Sequence, residues 1–372
     1  MNNVHGLVYA YHAFPELGAL GLHRTGSSLP FCGRFRLIDF ALSSMMNAGI
    51  NDVGVIMQRG YLSLMEHISN GRSWNLARRS GGLHLLPPYG LADAGQGVYA
   101  GCMEALSNIY TYLNETIKED YVLVTRGDLC ANVDIRAMVE QHIASGADVT
   151  VACVRGTLSY THHRFTLDEA GNAAELLCIQ NEGETRGVAS LEMYLLRRET
   201  LLEMVRWCRE GSRLHFHRDA LTHAMAEGRR VGVYLHEGYA MHITNARDYF
   251  RANMDMLDPV KRASLFDPDR HVATRARSDA STYFGDMAQV KDSLIGDGCR
   301  IEGTVERCVI FGGVRIAPGA VVKNSIILND TIIGEHCDLN YAVADKNVTV
   351  SPYTALCGSE RLPLLIPKGA EI

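Results

Sequence analysis

The chain has 372 residues, 47% apolar and 21% charged, with 36 basic against 42 acidic side chains and a net charge of −6. That balance argues against a protein built to neutralise a nucleic-acid backbone or an anionic membrane. No run approaches about 18 apolar residues, and Met1 to Ala13 shows no basic-then-apolar leader, so a soluble cytoplasmic protein of one large or two ordinary domains is expected. The ten cysteines are dispersed with no CxxC pair. Cys102, Cys153 and Cys178 lie in apolar segments and read as small core residues of a reducing compartment.

From Val4 to about Leu257 short apolar runs alternate with longer amphipathic stretches. In order they are strand-like VHGLVYA, helix-like RFRLIDFALSSMMNAG, strand-like NDVGVIM, LSLMEHIS, helix-like YAGCMEALSNIYTYLNET, strand-like DYVLVT, helix-like VDIRAMVEQHIASG and strand-like DVTVACV. This alternation predicts βαβ units on a mainly parallel sheet, an α/β domain over residues 1–257. Residues 258–285, with DPVKRASLFDPDRH at their start, are polar and read as a linker.

Residues 286–372 carry short strand-like pieces broken by Gly and Asp. Ile310, Ile316, Val322 and Leu328 fall at steps of six, as do Ile295 with Ile301 and Ile333 with Leu339. Six-residue spacing beside turn-formers such as Ala317-Pro318-Gly319 predicts a hexapeptide-repeat parallel β-helix rather than an antiparallel sheet of coincidental spacing. Its inward aliphatic ladder would supply the core, and its flat faces suit a scaffold or an oligomer contact.

In an open α/β sheet, ligands bind beyond the carboxyl ends of the strands. The run Tyr121-Val122-Leu123-Val124-Thr125 ends in Arg126-Gly127-Asp128. Asp128 either holds a divalent cation against a phosphate or caps the following turn, and the residues alone leave both open. The loop after the first strand, where a phosphate site needs glycine amides, reads Ala10-Tyr11-His12-Ala13-Phe14-Pro15 and has no glycine before Gly18.

The block Leu29-Pro30-Phe31-Cys32-Gly33-Arg34-Phe35-Arg36-Leu37-Ile38-Asp39-Phe40-Ala41-Leu42-Ser43 resembles the "VPFGGKYRIIDFALSN" block of bacterial ADP-glucose pyrophosphorylases (glucose-1-phosphate adenylyltransferases). Asn47-Ala48-Gly49-Ile50 with Val53 to Gln58 is similar to that family's "NSGI…GVLTQ", Arg126-Gly127-Asp128 to its "SGD", and Ala252 to Leu257 to its "EANMDLL". The likeness covers nearly the whole chain. It implies a nucleotidyltransferase domain with a Rossmann-like, GT-A-like mixed sheet, followed by a left-handed β-helix.

The departures carry as much weight. The family's Gly-Gly-x-Gly-Thr-Arg-Leu phosphate loop falls on Ala10, Tyr11, His12 and their neighbours, and the lysine of its "AKPAVPF" falls on Gly26. The second metal-holding aspartate, in "WRDVGT", falls on His242. The sugar-binding "DFGKD" reads His215-Phe216-His217-Arg218-Asp219, and the Glu-Lys-Pro motif has no counterpart between Leu176 and Gly187. The resemblance implies substrate positions at Gln58, Gly101, Asp128, Ser190 and Tyr194, with Asp128 the vestigial metal ligand, and an effector site near Arg34 and Arg36. Two guanidiniums at the start of a helix suit a phosphorylated sugar, though salt bridges would occupy them equally well.

These features together resemble the noncatalytic GlgD-type subunit of the family. The expectation is a regulatory or structural subunit, paired in a heterotetramer with a catalytic subunit that uses Mg²⁺ to make ADP-glucose and pyrophosphate from ATP and glucose 1-phosphate for glycogen synthesis. A homo-oligomer is also open. The alternatives are a competent nucleotidyltransferase with a rebuilt phosphate loop, in which His12 or Arg24 serves the phosphates, and a free-standing sugar-phosphate-binding protein.

Overall fold

A computed structural model of the chain describes residues 3–58, 60–87, 99–156, 158, 163–179 and 186–372. Two compact units are formed, one from Met1–His12, Ile38–His242 and Phe266–Ala273, the other from Ala13–Leu37, Ile243–Leu265 and Thr274–Ile372.

The first unit is built on a nine-stranded mixed sheet. Its strands are β1 (Val4–Tyr9), β2 (Asp52–Ile56), β3 (Gly82–Leu86), β4 (Tyr121–Arg126), β5 (Val149–Val154), β6 (His163–Leu167), β7 (Ala173–Cys178), β8 (Val188–Arg197) and β9 (Val231–His236). The order is β7-β6-β8-β4-β1-β2-β3, with β5 paired to β8 and β9 to β5. β4, β1, β2 and β3 run parallel to one another, while β8 is antiparallel to β4, β5 and β6. All six residues of β1 are buried, as a strand covered on both faces requires.

The connecting helices α1 (Ile38–Asn47), α2 (Leu62–Ile68), α3 (Cys102–Asn108), α4 (Ile135–Ser145) and α5 (Arg198–Glu210) follow the predicted alternation. α3 and α5 pack with Leu7, Val122 and Val124 on one face, and α1 and α4 with Val8, Val55 and Leu123 on the other. Gly6 lets α1 approach closely, since a Cβ there would lie 2.6 Å from Met45 Sδ. The one long helix predicted over YAGCMEALSNIYTYLNET is in fact α3 and a separate helical segment, Tyr112–Thr116. Cys153 is buried and Cys102 half-buried, but Cys178, expected in the core, is exposed because it ends the edge strand β7.

The second unit is a left-handed β-helix of three parallel sheets with five strands each. Its ladders are Ile301-Ile316-Ile333-Val350, Val305-Val322-Leu339-Leu356 and Ile295-Ile310-Ile327-Ala344. The six-residue register therefore holds through Ile310, Ile316 and Val322 and then slips by one. Ile327, not Leu328, stacks on Ile310. Corners are turned by single left-handed residues in matching places: Asp292, Arg307, Asn324 and Tyr341 at one, Asp330 and Asn347 at a second, His336 and Tyr353 at the third. Asn and Asp tolerate this conformation better than most residues.

The stretch 258–285 is not a linker. Asp258 caps α7 (Pro259–Leu265) through its carboxylate and the Val260 amide at 2.8 Å, and this helix follows α6 (Ala246–Asp255). Leu265, Val272 and Ala273 are buried, and Tyr283–Phe284 is already the first β-helix strand. Leu265, Val272 and Ala273 anchor the stretch, while Val260, Tyr283 and Phe284 remain exposed. No helix among the described residues is long and apolar enough to cross a membrane.

Candidate substrate site

The first unit brings Asp128, Ser190 and Tyr194 together at the carboxyl end of β4 and the facing part of β8. Asp128 is fully buried and already paired. Arg126 donates from Nε to Oδ1 at 2.7 Å and from Nη2 to Oδ2 at 3.2 Å, and His12 Nδ1 donates to Oδ2 at 3.1 Å. Burial alone would push the Asp128 carboxyl up, but Arg126 and His12 outweigh it and hold the group well below the usual carboxylate range. The same guanidinium reaches a second carboxylate, with Nη1 3.1 Å from Glu192 Oε2.

Glu192 gets there by a local irregularity. The β8–β5 ladder shifts register between Ser190 and Met193, and Glu192 takes a left-handed φ of 53°. A bulge that re-aims one side chain beside a site is the usual consequence of such a shift. Ser190 Oγ accepts from the Glu192 amide at 3.0 Å, and Tyr9 donates its hydroxyl to the Glu192 carbonyl at 3.2 Å. Burial would raise the Glu192 carboxyl, yet Arg126 and the imidazoles of His163, His217 and His242 hold it low.

Imidazoles fill the rest. His217 stacks on His163 with ring centres 3.8 Å apart, bonds the Tyr194 hydroxyl, and is pushed down to about 3 by burial and by His163. His242, at the place of the family's second metal aspartate, is 2% exposed and donates Nε2–H to the Ser190 carbonyl at 3.2 Å. Burial and Arg126 push it down to about 4, which keeps it neutral. In the loop after β1, Tyr11 is 4% exposed and sits edge-on to His12 and to Tyr99, at 5.0 and 5.3 Å. Packed aromatic rings stand where a phosphate cradle needs open backbone amides.

Gln58 and Gly101 have structural work of their own. Gln58 Oε1 accepts from the Tyr99 amide at 2.9 Å. Gly101 packs on the backbone of Leu214, whose carbonyl oxygen would lie 2.1 Å from any Cβ. Of the stretch Leu176 to Gly187, in which the Glu-Lys-Pro motif has no counterpart, residues 180–185 lie outside the described residues. Glu192 and His163 escape sequence reasoning. Their one signal is a lone carboxylate in the apolar run Leu191-Glu192-Met193.

The effector arginines belong to the second unit and do not start a helix. Pro30–Phe31 pairs antiparallel with Phe35–Arg36 through a turn in which Cys32 and Gly33 are both left-handed, and α1 begins only at Ile38. Arg34 is exposed, 5.6 Å over the Phe35 ring. Arg36 lies within electrostatic reach of Lys346, which burial, Arg36 and Arg24 push down to about 7. Arg24 is buried and donates from Nη2 to both carboxylate oxygens of Asp345, each at 2.8 Å, so the expectation that it serves phosphates gives way to a structural ion pair.

The mixed sheet with carboxylates at its strand ends, followed by a hexapeptide β-helix, defines a nucleotidyltransferase of the β-helix-bearing kind. Residues 19–258 match the nucleotidyl transferase family and residues 279–361 the GlmU-like C-terminal hexapeptide family. A glucose-1-phosphate adenylyltransferase of Geobacillus stearothermophilus is 34% identical over 300 residues, 80% of this chain and 77% of the relative. Those of Bacillus thuringiensis (strain Al Hakam) and Bacillus anthracis are each 30% identical over 346 residues, 92% of this chain and 91% of theirs. The chain belongs to the glucose-1-phosphate adenylyltransferase family.

Nucleotidyltransferases generally work with Mg²⁺, a hard cation that takes oxygen ligands and keeps several waters. The donors present do not suit it. Asp128 is taken up by Arg126 and His12, and the facing position holds the neutral imidazole of His242.

Proposed function

We propose that this chain is a regulatory or structural subunit, of the noncatalytic GlgD type, of a glucose-1-phosphate adenylyltransferase. Its partner is a catalytic subunit that converts ATP and glucose 1-phosphate to ADP-glucose and pyrophosphate for glycogen synthesis in the cytoplasm. The observation that supports the reading best is the Arg126 guanidinium lying across Asp128 and Glu192. A fixed internal cation takes the place that a metal and substrate phosphates need. Losing a single transition-state donor costs about 10²–10³ in rate, and here the phosphate loop, a metal carboxylate and the sugar-phosphate lysine are replaced together.

What the chain retains fits a modulatory role. Arg34 and Arg36, with Lys346 near Arg36 and Lys368 near Lys346, put positive charge on the second unit that suits a phosphorylated sugar. The sheet unit and the β-helix faces offer surface for a catalytic partner in a heterotetramer. Partner binding alters the catalytic chain only if it favours one of that chain's conformations.

The test is ADP-glucose synthesis by this chain alone, by the catalytic subunit alone and by the mixture, each with and without phosphorylated sugars. The expected outcome is activity of the chain alone at least about 10²-fold below the catalytic subunit, together with a changed activator response in the mixture. Turnover by the chain alone at an ordinary enzymatic rate, about 1–10³ per second, would sink the reading.

A further inference from the structure

At the opposite end of the sheet from Asp128, three titratable residues meet that the substrate site does not use. His5 is the second residue of β1, Asp52 opens β2, and Glu119 lies two residues before β4. Because β4, β1 and β2 are adjacent and parallel, their amino ends place these side chains together. We propose that His5, Asp52 and Glu119 form a binding site for a divalent transition metal, with Zn²⁺ the best-suited ion.

The spacing is the first support. One ligand atom from each residue lies within 4.8 Å of the others. His5 Nδ1 stands 3.8 Å from Asp52 Oδ1 and 3.7 Å from Glu119 Oε2. Ligands at Zn²⁺ bond lengths in a tetrahedral shell are about 3.4 Å apart, and both histidine–carboxylate spacings come within a few tenths of an ångström of that value.

The second support is an unsatisfied buried nitrogen. His5 is 1% exposed and its Nδ1 has no hydrogen-bond partner, although buried polar atoms almost always have one. Its other nitrogen, Nε2, is 3.1 Å from the Tyr112 hydroxyl. With Nε2–H donated to that oxygen, Nδ1 presents a lone pair toward the two carboxylates, the arrangement in which an outer partner fixes a ligating tautomer. His84 Nε2 lies 2.7 Å from Asp52 Oδ1 and stands ready either to orient that carboxylate or to complete the shell.

The third support is access and charge. A cavity of about 300 Å³ opens beside Asp52 and Glu119, with Asn51, Arg78 and Ser80 on its walls. Imidazole with carboxylates favours Zn²⁺ over Mg²⁺. Among the described residues that line this cavity the cationic one is Arg78, whose Nε is engaged with the Asn75 carbonyl at 2.9 Å. A second such group among the described residues, His163, Glu192 and His217, differs in that Arg126 already neutralises its carboxylate.

The test uses the full chain, freed of metal by a chelator and titrated with Zn²⁺ and, for its spectrum, with Co²⁺. Expected are one equivalent of Zn²⁺ bound with a rise in Tm of several degrees, and visible Co²⁺ bands without the near-ultraviolet absorption of a thiolate ligand. Asp52 and Glu119 are partly exposed, 24% and 18%, so Asp52→Asn and Glu119→Gln preserve the fold. Each should weaken Zn²⁺ binding at least about tenfold, while Glu192→Gln leaves it unchanged. The proposal is overturned if the native chain binds no stoichiometric Zn²⁺, if Co²⁺ shows thiolate ligation, or if binding survives Glu119→Gln at full strength. It also falls if Glu192→Gln is the variant that abolishes binding.

Discussion

Arg126 is the residue on which the substrate site turns. Removing one partner of a buried charge cluster costs about 3–5 kcal/mol, because the charges left behind lose their compensation. Arg126→Ser should therefore destabilise the chain by that amount in urea unfolding. Adding Glu192→Gly should recover a large part of the loss, since it removes one stranded carboxylate and allows the left-handed backbone at position 192 at no steric cost. Strictly additive effects would show that the guanidinium does not bridge the two carboxylates. Asp128 is legible in the sequence because an apolar strand ends in Gly-Asp. Glu192 is not, because a charged residue in a half-buried strand ordinarily faces water, and only the bulge at Ser190 to Met193 turns it inward. His163 and His217 meet from elements that no local pattern connects.

Among the elements, the parallel strands and the β-helix are the parts the sequence specifies best. Their apolar periods, continuous in β1 and β4 and six-residue in the coils, correspond directly to faces that must be buried. What the sequence hides is register and punctuation. The corner after Val322 takes five residues, as do those after Val305 and Leu339, so Ile327 takes the ladder position and Leu328, though buried, does not. Arg34 and Arg36 lie in a hairpin because Cys32 and Gly33 both adopt left-handed conformations, which a helical pattern in the apolar residues does not reveal. The ladder makes a sharp contrast testable. Ile327→Ala, at a fully buried rung, should cost about 2–5 kcal/mol. Ile332→Ala, one strand later but 41% exposed, should cost well under half of that. Equal losses, read as Tm by calorimetry, would mean that the register inferred from strand pairing is wrong.

The whole molecule carries several imidazoles that must remain neutral. Folded-state values are about 3 for His217, about 4 for His242 and about 4 for His142, each lowered first by burial, against about 6.5 in the unfolded chain. Below pH 6.5 the unfolded chain takes up protons that the folded one refuses, so stability falls as pH drops and levels off only as the folded values are reached. Urea midpoints measured in chelator-containing buffer should decline steadily from pH 6.5 to 4, and a flat profile over that range would contradict the burial of these rings. The division of the chain has a different consequence, one that bears on synthesis. Ala13–Leu37 belongs to the β-helix unit, and the Arg24 guanidinium finds its carboxylate in Asp345, 321 residues further on. Domains generally fold as they emerge from the ribosome, amino-terminal first, but here one of the earliest segments made must wait for nearly the last. Its buried arginine therefore lacks its carboxylate until elongation is nearly complete, which leaves that charge for a chaperone or for water to hold until translation ends.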